Sequence, residues 1–236
     1  MDFKKKFRIA AIIPARGGSK GFPKKNIAKL CGHPLIGWSI SQALNSEFIG
    51  STWVTSDSQS ILDIATTYGA NTIKRPKEFS SDTASSESAW IHAIDFLYNK
   101  GFEFDLIVGM QCTSPIRETK DLDNAIKLLI ENNYDSLLSV STLEDSFTWA
   151  YDHNLEPYPI NYGLNDRKPR QKIKKTYLEN GSFYLFKPKL IKTFNNRLSG
   201  KIGLYVMDKY KSFQIDEEAD LKICSAIIKE FQIDIR

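Results

Sequence analysis

Ile12-Ile13-Pro14-Ala15-Arg16-Gly17-Gly18-Ser19-Lys20-Gly21-Phe22-Pro23-Lys24-Lys25-Asn26 packs three glycines and four cations, Arg16, Lys20, Lys24 and Lys25, into one short stretch. Glycines let backbone N–H groups approach an oxyanion, and cations supply the opposing charge. The stretch leaves an apolar run, Ile9 to Ala15, that reads as a buried strand. Ligands of open α/β sheets sit at the carboxyl ends of strands, so a loop in this position points to a phosphate-rich ligand, with a nucleoside triphosphate as the natural candidate. Two commoner phosphate loops are excluded. Gly17 and Gly18 are not followed at the required spacing by Gly-Lys-Ser/Thr, and they are adjacent where the dinucleotide fingerprint needs G-x-G. The competing reading is a surface turn with solvated lysines, which its place after a buried strand disfavours.

The elements that must carry this loop alternate between strand and helix. Pro34 to Leu44 has a helical stripe of Leu35, Ile36, Ile40, Ala43 and Leu44. Ser51 to Ser56 reads as a strand, Ser58 to Tyr68 as a helix closed by Gly69, and Asn71 to Arg75 as a short strand. Ser85 to Asn99 is helical, Asp105 to Gln111 a buried strand, Thr119 to Glu131 a helix and Ser136 to Ser141 a strand. Such alternation predicts βαβ units and a mainly parallel sheet with helices on both faces. From about Thr142 to Thr176 the pattern breaks into prolines, aromatics and a basic cluster, Arg167 to Lys175. A structureless loop that long would be unusual, so an extended arm is expected, its Phe147, Trp149, Tyr151 and Tyr158 suited to a subunit contact. Strands return at Gly181 to Phe186 and Lys201 to Met207, and a helix runs from about Glu217 to Phe231. The expected division is an α/β domain of residues 1–141 and 177–236, with 142–176 as the inserted arm.

The chain has 236 residues, 42% hydrophobic and 25% charged, the proportions of a globular domain that can bury a core without staples. A net charge of +4 does not by itself imply nucleic acid, and no aromatic-and-basic binding signature or zinc spacing appears. Cys31, Cys112 and Cys224 are odd in number and far apart, which predicts reduced thiols. Lys4-Lys5-Lys6 before the first apolar run superficially resembles a leader, but Arg8, Pro14 and Arg16 interrupt the run. No window reaches the roughly 18 apolar residues of a membrane span, so a cytoplasmic protein without membrane contact is expected.

Five separated blocks, in order over essentially the whole length, make the chain similar to the acylneuraminate cytidylyltransferases, the CMP-sialic acid synthetases. The first is the opening loop. The second is Arg75-Pro76 with Ser80-Ser81-Asp82-Thr83-Ala84-Ser85-Ser86, and the third Gln111-Cys112-Thr113-Ser114-Pro115-Ile116-Arg117. The fourth runs from Arg170-Gln171 to Asn180-Gly181-Ser182-Phe183-Tyr184, and the fifth is Phe213-Gln214-Ile215-Asp216. The resemblance implies a Rossmann-like nucleotide-diphospho-sugar transferase fold with an extended dimerisation arm, and a homodimer. It implies transfer of CMP from CTP to a nine-carbon α-keto acid sugar, with release of pyrophosphate and with Mg²⁺.

By the same resemblance, Ala15, Arg16, Gly17, Lys20, Lys25, Asn26, Arg75 and Ser86 contact the nucleotide, with Arg16 and Lys20 on the triphosphate. Gln111, Arg170, Asn180 and Tyr184 face the sugar, Arg170 being better suited to a carboxylate, through two parallel hydrogen bonds, than the competing Lys172 and Lys175. Asp216 binds Mg²⁺. Gln214 stands where the family has a second aspartate; residues two apart in a strand share a face, so its oxygen could point at the same metal with one charge lost. Asp216 also has the position of an N-cap for the last helix, as Thr83 or Ser85 has for the helix of Glu87, and Asp82 reads as structural. Cys112, which replaces a proline, reads as a small buried filler, and His33, His92 and His153 sit outside the blocks.

Two other readings compete. A glycosyltransferase would use an Asp-x-Asp metal motif; Asp121-Leu122-Asp123 has the spacing, but it opens a helix and reads as charge at a helix N-terminus. A nucleotide-binding homologue impaired in catalysis is suggested by Gln214. Sialic, legionaminic and pseudaminic acids share the carboxylate and anomeric centre, so the sugar stays open.

Overall fold

In a computed structural model, residues 7–18, 21–81, 84–143 and 146–235 are described. Their centre is a seven-stranded sheet. In chain order its strands are β1 (Ile9–Pro14), β4 (Ser51–Ser56), β5 (Asn71–Lys74), β6 (Leu106–Met110), β7 (Ser136–Thr142), β10 (Tyr177–Phe186) and β11 (Ile202–Met207). The spatial order is β11-β7-β10-β6-β1-β4-β5. β1 pairs parallel with both β4 and β6, β4 with β5, and β7 with β11, whereas β10 runs antiparallel between β6 and β7. The expected α/β architecture is therefore present. The antiparallel direction of β10 goes beyond the sequence reading.

Alternate residues of a strand face opposite sides, and β1 shows the consequence. Ile9, Ala11 and Ile13 enter a core shared with the helices α1 (Leu35–Leu44), α2 (Gln59–Thr67) and α4 (Thr119–Glu131). Ala10 and Ile12 enter a second core with Trp90, Ala93, Ile94 and Leu97 of α3 (Ser86–Asn99), to which α5 (Pro188–Phe194) adds Ile191. Gly109 of β6 makes room for that packing: a Cβ there would lie 2.8 Å from the Trp90 ring. A third core joins α6 (Glu218–Glu230) to the small hairpin β2 (Lys29–Leu30) and β3 (His33–Pro34) through Leu30, Trp38, Ile116, Ile215 and Ile228.

Side-chain caps fix where the helices start. The Ser85 hydroxyl accepts the Ser88 N–H at 3.1 Å, which begins α3. Glu118 and Asp121 form a reciprocal capping box on α4, and Glu217 and Asp220 do the same for α6. The cap of α6 is thus Glu217, not Asp216, and the Asp216 carboxylate is left for other work.

Asp121 and Asp123 do open α4, as expected, but they face inward. Lys211, itself buried, donates to Asp121 at 2.8 Å and Glu118 at 2.7 Å, and Asp123 accepts from the Ser46 hydroxyl. Both acids are spent on structure. Between β7 and β10 the chain forms a separate two-stranded ribbon, β8 (Trp149–Tyr151) with β9 (Pro157–Pro159), and a 3-10 turn Arg170–Lys172. No helix among the described residues is long and apolar enough to cross a membrane.

Candidate active site

The chain order reverses beside β1: β4 and β5 follow on one side, β6 on the other. The crevice at the carboxyl ends of β1 and β6 is a topological switch point, where open α/β sheets bind ligands. A cavity of about 510 Å³ lies there, within the range of small-molecule sites. β1 delivers Arg16 to its wall, β6 delivers Gln111, Cys112 and Thr113, and α3 brings Ser85 and Ser86 at its N-terminus. Arg75, just past β5, and Lys25 complete a cationic lining, with Asp216 opposite. Three cations, one carboxylate and the positive end of a 14-residue helix make this a site for a polyanion.

The loop after β1 is held mainly through its backbone. The Ala15 N–H donates to the Thr55 carbonyl at 3.0 Å, the Asn26 side chain donates to the Arg16 carbonyl at 2.9 Å, and the Gly17 N–H donates to the Asp57 carboxylate at 2.9 Å. Two expectations change accordingly. Asn26 is buried and shapes the loop, and the Gly17 amide is occupied by Asp57 rather than turned into the cavity. Lys24 takes a left-handed backbone, φ 58°, and is exposed, while Lys25 begins a 3-10 turn with its ammonium 2.9 Å from an Asp216 oxygen. Of adjacent lysines one faces solvent, and here it is Lys24.

Arg75 is 4% exposed and donates to the Ser80 hydroxyl at 2.9 Å. Burial lowers its pKa, with the Asp57 carboxylate opposing and the Arg16 charge adding to the effect. An anion in the cavity would offset that effect on Arg75. Phe79 beside it tilts against His92, whose imidazole burial and the Arg75 charge hold below the ordinary range. Cys112 lies in the cavity wall, but burial pushes its thiol up to about 12, so it is a neutral filler and no nucleophile.

The third, fourth and fifth blocks meet at a bulge in β10, between Glu179 and Tyr184. Gly181 sits there at φ +63°, and three successive carbonyls are each taken by a donor. Asn180 O accepts from Gln214 Nε2 at 2.8 Å and Gly181 O from the Ser114 hydroxyl at 3.3 Å. Ser182 O accepts from Arg117 at 2.8 Å and from the Gln111 N–H at 3.2 Å. Arg117, fully buried, also donates to the Gln111 carbonyl at 3.0 Å and to the Ser39 hydroxyl; burial pulls its pKa down to about 10, which leaves it charged at neutral pH. It fixes Gln111 at the cavity.

The bulge also redirects two residues expected at the sugar. Asn180 turns inward, its oxygen accepting from the Ser139 hydroxyl at 2.6 Å and its amide pointing at Met207. The Tyr184 ring is buried beside Trp90, under the Arg197 guanidinium 4.4 Å away, with its hydroxyl on Glu179. Neither lines the cavity. Gln214 is likewise off the cavity wall. Lys20, Asp82, Thr83 and the side chain of Arg170 lie outside the described residues. The sequence reading missed Asp57, Phe79, Ser81 and Arg117; the place of Asp57 at the carboxyl end of β4 was the available signal.

A family model described as Cytidylyltransferase matches residues 10–232. The chain belongs to the cytidylyltransferase family. It is 30% identical over 220 residues to a pseudaminic acid cytidylyltransferase of Campylobacter jejuni, covering 92% of this chain and 95% of that one. It is 36% identical over 233 residues to N-acylneuraminate cytidylyltransferase A of Danio rerio, covering 97% of this chain but 52% of the fish protein, so the chain spans about half the length of that relative. Among solved structures, a CMP:2-keto-3-deoxy-manno-octonic acid synthetase complexed with CTP superposes with a TM-score of 0.72 at 13% identity, over 95% of this chain and 99% of that one. At that identity the match speaks to the fold alone. The chain shares that structure's fold and has its cationic cavity at the switch point of the sheet.

Proposed function

We propose that this chain activates a nonulosonic acid, a nine-carbon α-keto acid sugar, with CTP to give the CMP-sugar and pyrophosphate. The observation that carries the reading is the convergence of Arg16, Lys25, Arg75 and the α3 N-terminus on one cavity that Gln111 and Asp216 also line. The Campylobacter and Danio relatives, named for pseudaminic and N-acylneuraminic acids, supply the sugar class.

Arg16, Lys20 and Lys25 hold the triphosphate and stabilise the charge that builds on the leaving group. The anomeric hydroxyl attacks the α-phosphorus in line; an oxygen–phosphorus bond forms as the bond to the β-phosphate oxygen breaks and pyrophosphate departs. The hydroxyl proton leaves to solvent, and catalysis is chiefly positioning and charge stabilisation. Gln111 orients the sugar, and Arg170 takes its carboxylate. A hard oxygen ligand at Asp216 suits Mg²⁺, which commonly binds one or two carboxylates plus substrate phosphates and would supply further charge neutralisation there.

The test is pyrophosphate release with a panel of nonulosonic acids crossed with CTP, UTP, ATP and GTP. Release with CTP and one acid is expected. Nucleotide binding without release from any pair would favour the impaired homologue.

The arm and the edge strand support a homodimer. Ile202, Leu204 and Val206, alternating along β11, form an apolar row 41–47% exposed, and Trp149 and Tyr158 of the arm are 49% and 45% exposed. An exposed apolar edge strand is a liability unless covered. Leu204→Glu should convert a dimer to a monomer in light scattering; an unchanged mass with that variant and with Trp149→Glu would remove the assignment. A cytoplasmic setting, with reduced thiols, goes with this reading.

A further inference from the structure

Gln214 stands two residues before Asp216, yet its carboxamide is committed elsewhere. The partner at 2.8 Å is the Asn180 carbonyl, which only accepts, so the NH₂ end must face it. A carboxylate could not make this bond. The contact is close-packed as well: a Cβ on Gly181 would lie 2.8 Å from the same nitrogen. Gln214 is thus one of the donors that saturate the β10 bulge, beside Ser114, Arg117 and the Gln111 N–H. The Lys211 ion pairs and the Ile215 N–H, donating to the Thr113 carbonyl at 2.8 Å, hold the same segment from either side.

Asp216 is then the single acidic residue in the cavity lining among the described residues, faced by Arg16, Lys25 and Arg75 and paired with Lys25. A free divalent cation entering this field meets one lining carboxylate, itself paired with Lys25, in a lining that carries three cations. A cation wrapped in a triphosphate meets the opposite balance. We propose that Gln214 is a clamp on the β10 bulge and not a metal ligand, and that a divalent cation reaches Asp216 only as a complex with the nucleotide triphosphate. The second half rests on the CTP reading above; the first does not.

Water-proton relaxation by Mn²⁺, a magnesium substitute, tests both halves without turnover. The wild-type protein with Mn²⁺ alone should give no enhancement over free Mn²⁺, and addition of CTP without sugar should give strong enhancement beyond that of Mn²⁺ and CTP alone. Gln214→Leu should keep the ternary Mn²⁺ affinity within about twofold while lowering Tm by roughly 2–4 °C, the loss of one part-buried hydrogen bond. Gln214→Asp, whose carboxylate would face the Asn180 carbonyl and not the cavity, should give no enhancement without nucleotide. Enhancement by wild-type protein and Mn²⁺ alone, abolished in Gln214→Leu, would overturn the proposal. If calorimetry shows that CTP does not bind at all, the nucleotide reading and the second half fall together, and an unchanged Tm in Gln214→Leu would remove the clamp independently.

Discussion

Arg16→Ala should lower CTP-dependent pyrophosphate release by roughly 10²–10³-fold in kcat/KM, the usual loss for removing one preorganised donor of developing charge. Arg16 lines the cavity at the carboxyl end of the central strand, where its charge adds to those of Lys25 and Arg75. The backbone around it is fixed independently of its side chain: Thr55 holds Ala15, Asn26 holds the Arg16 carbonyl, and Asp57 holds Gly17. Circular dichroism and Tm should therefore stay close to those of the parent while activity collapses. A variant that folds and releases pyrophosphate at the parent's rate would remove the triphosphate from this loop.

Arg117→Met should act through stability first. The guanidinium is fully buried and grips Ser182, Ser39 and Gln111, with no carboxylate paired to it among the described residues. Methionine fills similar space but removes every bond from the charged donor: the Ser182 carbonyl keeps only the Gln111 N–H at 3.2 Å and the Gln111 carbonyl only the longer contacts from Ser114 and Ser39. Each hydrogen bond lost to a charged group costs about 1.5–3 kcal/mol. Part of this is offset because a buried charge is removed. A net loss of about 3 kcal/mol corresponds to a Tm lower by roughly 6–12 °C for a chain of this size. Gln111 would also lose its anchor, so KM for the sugar should rise more than KM for CTP. A Tm within 2 °C of the parent would mean that the bulge is held by Ser114 and Gln214 alone.

Much of the fold was legible because periodicity and capping are local. The strands at Ser51 and Leu106 and the helices at Leu35 and Thr119 were marked by apolar spacing and by the turn residues that bound them. The direction of β10 was not, since pairing direction leaves no trace in a short apolar run. The loop after β1 was legible as a cation-rich turn at a strand end. Whether a glycine amide faces a ligand or a carboxylate is decided by Asp57, far away in sequence, and no local pattern carries that. Asn180 and Tyr184 were expected at the sugar because they lie in one motif with Gly181. A bulge shifts which face each side chain takes, and here it sent both inward. Arg117 closed a motif as an ordinary polar residue, and arginine is so seldom fully buried that its role as an internal brace needed the packing to be seen. Asp216 had the position of a helix cap, but the capping box of Glu217 and Asp220 released it to the cavity.

The central claim is that the switch-point cavity transfers CMP to an acid sugar through the sugar's own anomeric oxygen. Phosphorus NMR of a reaction with the cognate nonulosonic acid labelled with ¹⁸O at that oxygen tests it most directly. A new phosphodiester resonance carrying the isotope shift of the label is expected, with unlabelled pyrophosphate in equal amount. Hydrolysis of CTP to free CMP, or a sugar nucleotide without the label, would contradict it.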